Sequence, residues 1–270
     1  MGAYNMSYIK DKSEVFSKGK KGLRELLEYY NDNVMAIPVD DLVNDWESGN
    51  SYITSLTDTW EKSLHTGSPD YSVYADNKYL NEAYISWTNY SREYCKRLRK
   101  WLPEHSDEIN PNDISSVLDL GCGIAYTTIA LSDIFPNAVV FGTNEPCTPQ
   151  LEFDKLITAP FDNINIVGNF EAGEHIDVIF ASEFFEHIDA PIDFLEKLIR
   201  TYSPNYIIFA NTFGKMATGH FHTYNVNGEA IEGKNMSRKF SKYLKLNGYG
   251  PVKTGFFNNR PYIYKKNANI

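Results

Sequence analysis

Val117-Leu118-Asp119-Leu120-Gly121-Cys122-Gly123-Ile124-Ala125 decides how this 270-residue chain is read. A short buried strand runs into two glycines one residue apart. An amphipathic helix follows through Ile129, Ala130, Leu131 and Ile134 until Pro136 stops it. Glycine lets the backbone turn sharply and come close to a ligand. In open α/β sheets, ligands bind beyond the carboxyl ends of the strands, near the switch point. A dinucleotide fingerprint, G-x-G-x-x-G, would set a pyrophosphate on the helix N-terminus. Here Tyr126 stands where its third glycine belongs, and Asp119 stands two residues before Gly121. A carboxylate there repels pyrophosphate and attracts ammonium, which points to a cofactor with a cationic amino-acid moiety.

Working outward, the chain alternates strand and helix. Ala138–Phe141, Ile164–Val167, Asp177–Ala181 and Tyr206–Ala210 read as further short strands. Pro191 opens a helix with Phe194, Leu195, Leu198 and Ile199 as its buried stripe, and Asp189 is its expected cap. A helix near Ser237–Leu246 ends at Asn247-Gly248. Val252–Phe257 and Tyr262–Lys266 flank Asn258-Asn259-Arg260-Pro261 and read as a closing hairpin. The expected fold is α/β: a doubly wound, mostly parallel seven-stranded sheet with a C-terminal antiparallel hairpin. Upstream, Leu23, Leu26, Leu27 and Tyr30 recur at helical spacing, while residues 31–80 read as loops and short helices. Residues 82–102 read as one helix with Trp87, Tyr90, Tyr94, Leu98 and Trp101 on one face, ended by Pro103.

Composition divides the chain near residue 112. All four Trp and 11 of 19 Tyr precede that point with a single Phe, Phe16; the other 15 Phe follow it. Tyr and Trp suit half-wet pockets and Phe a dry core. We therefore expect a core at 113–270 and a mainly helical, Tyr/Trp-rich region at 1–112 that caps it or shapes an acceptor pocket. The net charge of −9 is uneven: −5 over 1–112, −13 over 113–232 and +9 over 233–270. An acidic balance disfavours non-specific nucleic-acid binding, and the basic C-terminal segment keeps that option open locally. No stretch approaches the roughly 20 apolar residues of a membrane span, so no membrane partner is expected. The N-terminus shows no basic-then-apolar leader, and Cys95, Cys122 and Cys147 form no Cys-x-x-Cys pair. A reducing, cytoplasmic setting is the expectation.

The Asp-Leu-Gly-Cys-Gly turn and its helix resemble motif I of the class I S-adenosylmethionine-dependent methyltransferases. The resemblance covers roughly residues 113–266 and implies their Rossmann-like fold and S-adenosyl-L-methionine as cofactor. Gly142-Thr143-Asn144-Glu145 falls where the family carries an acid for the ribose hydroxyls. Gly168-Asn169-Phe170 falls where an Asp-led pair holds adenine, and Ala181 to Ile188 falls at the methionine end. Ser203-Pro204-Asn205 matches the turn before the fifth strand. The implied cofactor residues are Asp119, Gly121, Cys122, Gly123, Asn144, Glu145, Asn169, Phe170, Ser182 and Glu183. Three positions depart from the family: Ala125 replaces the third glycine of motif I, and Asn144 and Asn169 replace acids.

Methyl transfer from a sulfonium is an in-line displacement, so the enzyme chiefly positions the acceptor, with a base where the acceptor carries a proton. His187, beside the predicted methyl donor, is the candidate base; Glu186 and His220 complete the candidate catalytic set. Glu183-x-x-Glu186-His187 also resembles the E-x-x-E-H metal site of small-RNA 3′-end and ubiquinone-pathway O-methyltransferases. That resemblance implies a divalent cation held by Glu183, Glu186 and His187 with a later His, His220 or His222. The [NDS]-P-P-[YFW] motif of amino-methylating DNA enzymes is missing: Ser182-Glu183-Phe184-Phe185 holds its place. Three functions are consistent with the sequence. They are methyl transfer to an O or N acceptor on a small molecule, methyl transfer to RNA or DNA through the basic segment, and cofactor binding without catalysis.

Overall fold

The computed structural model describes residues 7–48, 52–146, 148–168 and 175–267. The N-terminal region folds as α1 (Leu23–Asn33), α2 (Val39–Ser48), α3 (Tyr52–His65), α4 (Tyr79–Ser86) and α5 (Arg92–Trp101). Then come β1 (Ser116–Leu120), α6 (Tyr126–Ile134), β2 (Val139–Thr143), α7 (Gln150–Thr158), β3 (Ile164–Val167) and β4 (Val178–Ser182). The chain continues through α8 (Pro191–Tyr202), β5 (Tyr206–Ala210), β6 (Thr223–Val226), β7 (Glu229–Glu232) and α9 (Gly233–Leu246), and closes with β8 (Tyr249–Pro251) and β9 (Tyr262–Lys266). The seven-stranded sheet has the order β3-β2-β1-β4-β5-β9-β8, parallel from β1 to β5 and antiparallel where β9 joins β5 and β8. The α/β fold expected from the sequence is present. The order reverses between β1 and β4, so their carboxyl ends open the crevice that such sheets use for ligands.

β1 is buried at all five positions, as a strand covered on both faces must be. Its side chains alternate between two cores. Val117 joins Val140, Val178 and Phe180 on one face, and Leu118 and Leu120 join Ile179, Ala181 and Ile207 on the other. The N-terminal region enters both cores. Leu23, Leu26, Leu27 and Tyr30 of α1 pack with Ile129 and Leu131 of α6, and Leu56 and Trp60 of α3 pack with Phe221 and Phe240. Polar tips fix these contacts: the Tyr8 and Tyr126 hydroxyls meet at 2.8 Å, and Trp60 Nε1 donates to the His220 carbonyl at 2.7 Å.

Four local expectations need correction. Residues 31–80 are largely helical, because Leu42 and Val43 of α2 and Leu56 and Trp60 of α3 have cores to enter despite their polar neighbours. The helix over 82–102 starts at Tyr79 and is interrupted by a π-turn at Trp87–Ser91. The closing hairpin pairs β9 with Tyr249–Pro251 rather than with Val252–Phe257. Val252 N–H still reaches the Ile263 carbonyl at 2.8 Å, but Gly255, Asn258 and Asn259 then take left-handed φ of 69°, 54° and 52° and carry the chain off the sheet. Asp189 does not cap α8; Ala190 holds the cap position without a side-chain bond, and the Asp189 carbonyl accepts from Asn225 N–H instead. The hairpin of β6 and β7 is an addition the sequence did not announce.

At the opposite end of the sheet from the crevice, Asp177 ties the strands together. One carboxylate oxygen accepts from Ser115 N–H and Oγ at 2.8 and 2.6 Å and from Ser116 N–H at 3.2 Å. The other meets His175 Nε2 at 2.9 Å and accepts from Asn205 Nδ2 at 3.0 Å. Burial opposes its ionisation, but the Ser115 and His175 bonds outweigh burial and hold the carboxyl below its ordinary value. Its contribution is therefore complete above the ordinary carboxyl range, near pH 4, and is lost as pH falls through the lower folded value. Asp177→Ala is expected to lower the unfolding free energy by about 1–3 kcal/mol in urea. It should also flatten the acid limb of stability against pH; an unchanged midpoint would contradict the role.

Candidate functional site

The site begins where β1 ends. Gly121 and Gly123 take φ of +64° and +65°, and Ala125 takes φ 54° as the residue before α6. Three left-handed residues in five make a turn that L side chains resist. The end of β2 holds it: Gly121 N–H donates to Thr143 Oγ1 at 3.1 Å and Cys122 N–H to the Thr143 carbonyl at 2.8 Å. Asp119 braces the turn from below. Its Oδ2 accepts from Thr127 and Thr128 Oγ1, both at 2.7 Å. Burial pushes its carboxyl up to about 6, against the pull of the two hydroxyls. Asp119, expected to face an ammonium group, thus has its Oδ2 already engaged with α6, though the residue borders the cavity.

A cavity of about 1360 Å³ opens over this turn. That exceeds the roughly 300–1,000 Å³ of common ligand pockets and leaves room for a nucleoside and an acceptor together. Of the expected cofactor residues, Asp119, Gly121, Cys122, Gly123, Asn144, Glu145, Ser182 and Glu183 border it. Asn169 and Phe170 lie outside the described residues, as does Cys147. A Cβ on Gly123 would meet only Ala83, at 3.6 Å, so it would clash with nothing there. A Cβ on Gly121 would meet Phe184 Cδ2 at 2.5 Å, so that glycine is required by a side chain as well as by its φ. Asn144 spends its amide hydrogens inward, Nδ2 donating at 2.7 Å both to the Gly123 carbonyl and to Asp154 Oδ2. This leaves Oδ1 as an acceptor beside the turn. Asp154, on α7, is fully buried, and burial holds its carboxyl well above the usual range. The residues present fit S-adenosylmethionine: a bare backbone edge, acceptors at the end of β2, and carboxylates at the end of β4.

At the end of β4, Glu183 takes φ 50° and faces the cavity, while Glu186 lies fully buried behind it. Glu186 Oε1 accepts from Thr212 N–H at 2.8 Å, while its buried Oε2 has no hydrogen-bond partner among the described residues. Burial first, and then the neighbouring carboxylate, holds the Glu186 carboxyl well above its ordinary value. Arg260 stands beside Glu183, donating to Thr212 Oγ1 at 3.0 Å and to the Asn211 carbonyl at 2.8 Å. His187 Nδ1 pairs with the Tyr74 hydroxyl at 3.0 Å, and its ring stands 4.6 Å from that of His220. Burial and the neighbouring His220 hold His187 well below its ordinary value; burial likewise lowers His220 to about 4. Both rings are neutral near pH 7.

The metal set of Glu183, Glu186, His187 and His222 is not assembled. His222 is 46% exposed and pairs with Glu61 at 2.7 Å, while the Tyr74 hydroxyl engages His187 and Thr212 N–H engages Glu186. Among the described residues no three His, Cys, Asp or Glu side chains gather to hold a metal ion. The structure adds Tyr71, Tyr74, Tyr79, Glu82, Tyr90 and Arg260 to the cavity wall. Tyrosine enrichment pointed to the N-terminal region but not to these positions. Ser182 Oγ meets Ser91 Oγ at 2.8 Å, which seats the π-turn on the end of β4.

The comparisons with known proteins agree with this geometry. A profile of the family described as Methyltransferase domain matches residues 86–245. No curated protein matches the chain by sequence. Among solved structures, PigF with SAH is similar at 10% identity and a TM-score of 0.50, over 82% of this chain and 72% of that one. A SAM-dependent methyltransferase from Aquifex aeolicus is similar at 17% identity and TM-score 0.39, over 63% and 89%. The Methanococcus jannaschii fibrillarin pre-rRNA processing protein is similar at 14% and 0.40, over 58% and 68%. An open sheet with a glycine turn at its switch point defines the class, and the family match covers more than half of the chain. The protein belongs to the class I S-adenosylmethionine-dependent methyltransferases.

Gly121→Ala is expected to lower the unfolding free energy by about 1–3 kcal/mol, because the new Cβ must displace Phe184 at a left-handed residue. Wild-type thermal stability in that variant would contradict the tight turn.

Proposed function

We propose that the protein transfers a methyl group from S-adenosylmethionine to an O or N acceptor on a small molecule in the cytoplasm. The observation that carries this reading is the cavity wall. Tyr71, Tyr74, Tyr79 and Glu82 close over the same space that the β1 turn opens into. Lys239, Lys242 and Lys245 of the basic segment do not border it. An amphipathic aromatic wall suits a small acceptor.

Bound S-adenosylmethionine supplies the electrophilic methyl group. In this reading Asn144 Oδ1 accepts a ribose hydroxyl, with Glu145 beside it and Asn169 and Phe170 at the adenine. Asp119, Gly121, Cys122, Gly123, Ser182 and Glu183 surround the amino-acid end. His187 accepts the acceptor's proton, and His220 and Glu186 keep its surroundings fixed. A neutral imidazole has the free lone pair that a proton acceptor needs.

Three outcomes check the assignment. Methyl-labelled S-adenosylmethionine, offered with a cellular metabolite fraction and with total RNA in separate reactions, is expected to label the metabolite fraction; label in RNA alone would move the acceptor to nucleic acid. His187→Ala is then expected to slow turnover about 100-fold or more with little change in S-adenosylhomocysteine affinity. An unchanged rate removes His187 from the reaction. In calorimetry, Asn144→Ala is expected to weaken S-adenosylhomocysteine binding about tenfold, the loss of one well-placed hydrogen bond. No binding by the wild type would leave no role for the cofactor.

A further inference from the structure

The end of the cavity away from the glycine turn has its own chemistry. A turn at Tyr71–Ala75 and the start of α4 stand three tyrosines side by side. Ring centroids are 6.4 Å apart for Tyr71 and Tyr74 and 4.9 Å for Tyr74 and Tyr79. Glu82, on the same helix as Tyr79, also borders the cavity. Its Oε1 accepts from Thr218 Oγ1 at 3.0 Å, and among the described residues no Lys, Arg or His forms an ion pair with it. Burial accordingly pushes its carboxyl up. An acid kept from water without a cationic partner is costly unless a ligand brings the cation.

The carboxyl and the histidines share one backbone stretch. Thr218 also meets Thr57 Oγ1 at 2.9 Å. A Cβ on the next residue, Gly219, would collide with the Tyr74 hydroxyl and with His187 Nδ1. Residues 218–220 therefore bring Glu82, Tyr74, His187 and His220 around a single pocket. We propose that the acceptor is an amine that arrives as an ammonium ion, is held by Glu82 against the Tyr74 and Tyr79 rings, and is methylated on nitrogen. This rests on the methyltransferase reading above and adds the class of acceptor and the atom.

Tyrosine faces attract cations, and a carboxylate beside them completes an ammonium site. A hydroxyl acceptor would need a stronger base than two imidazoles whose basicity burial has lowered. An amine needs only to lose one proton. His187 takes it, leaving a neutral amine beside the Glu82 carboxylate. The nitrogen lone pair then forms the N–CH3 bond, and the C–S bond breaks with its electron pair going to sulfur. The product is an N-methylammonium ion, and the proton on His187 passes to solvent when the product leaves.

The test uses the full chain saturated with S-adenosylhomocysteine, whose own binding is measured first. Failure at that step overturns the methyltransferase reading rather than the amine. Benzylammonium and benzyl alcohol, matched in shape, are then titrated calorimetrically near neutral pH. The ammonium is expected to bind at least about tenfold more tightly. Glu82→Gln, which keeps an oxygen for Thr218, should bring the two close to parity while S-adenosylhomocysteine still binds. Tyr79→Leu should weaken the ammonium and leave the alcohol nearly unchanged. Equal binding of the two probes by the wild type, no ammonium binding at all, or a preference that survives Glu82→Gln overturns the proposal.

Discussion

The whole site depends on how β1 is allowed to end. Gly121, Gly123 and Ala125 must all be left-handed, and Thr143 must hold the resulting turn from the neighbouring strand. Backbone N–H groups that would otherwise continue β1 are thereby turned toward the end of β2, and α6 starts directly beneath the crevice. Asp119 locks the arrangement by accepting two hydroxyls from the first turn of that helix. Asn144 then closes the edge through its bonds to Gly123 and Asp154. The open edge proposed for the cofactor is thus a by-product of satisfying the polar groups of one strained turn.

The second half of the cavity is built by the N-terminal region, and the two halves are joined by polar contacts rather than by proximity alone. Ser91 meets Ser182, Tyr74 meets His187, and Glu82 meets Thr218. Each pairs a residue before 113 with one at or beyond the carboxyl end of β4 or β5. Burial and the neighbouring Glu183 hold the Glu186 carboxyl well above its ordinary value, which disfavours two adjacent charges at the end of β4.

Most of the sheet could be read from the chain because its strands are short apolar runs between glycine and proline signals. The turn at Gly121 was legible because strained backbone leaves a composition signature. Helices α2 and α3 were not: Leu42, Val43, Leu56 and Trp60 sit among Asn, Asp and Ser, and only the presence of a core explains their helicity. The cavity-facing Tyr74 and Glu82 escaped for the same reason, since their meaning lies in residues 187 and 218. Val252–Phe257 looked like a strand because its composition suits one, yet the left-handed Gly255, Asn258 and Asn259 take the chain elsewhere and deliver Arg260 to Glu183. The metal set failed on direction: Glu183, Glu186 and His187 are adjacent in sequence, but one faces the cavity and another is buried behind it.

Because Tyr8, α1 and α3 contribute side chains to both faces of the sheet, the first hundred residues do not sit on the fold as a detachable lid. Exchanging that segment with another methyltransferase's would strip apolar cover from α6 and α9 as well as altering the pocket. Divergence of acceptor preference in such an architecture must proceed by point changes within the wall, since modular grafting would unravel the scaffold that presents it.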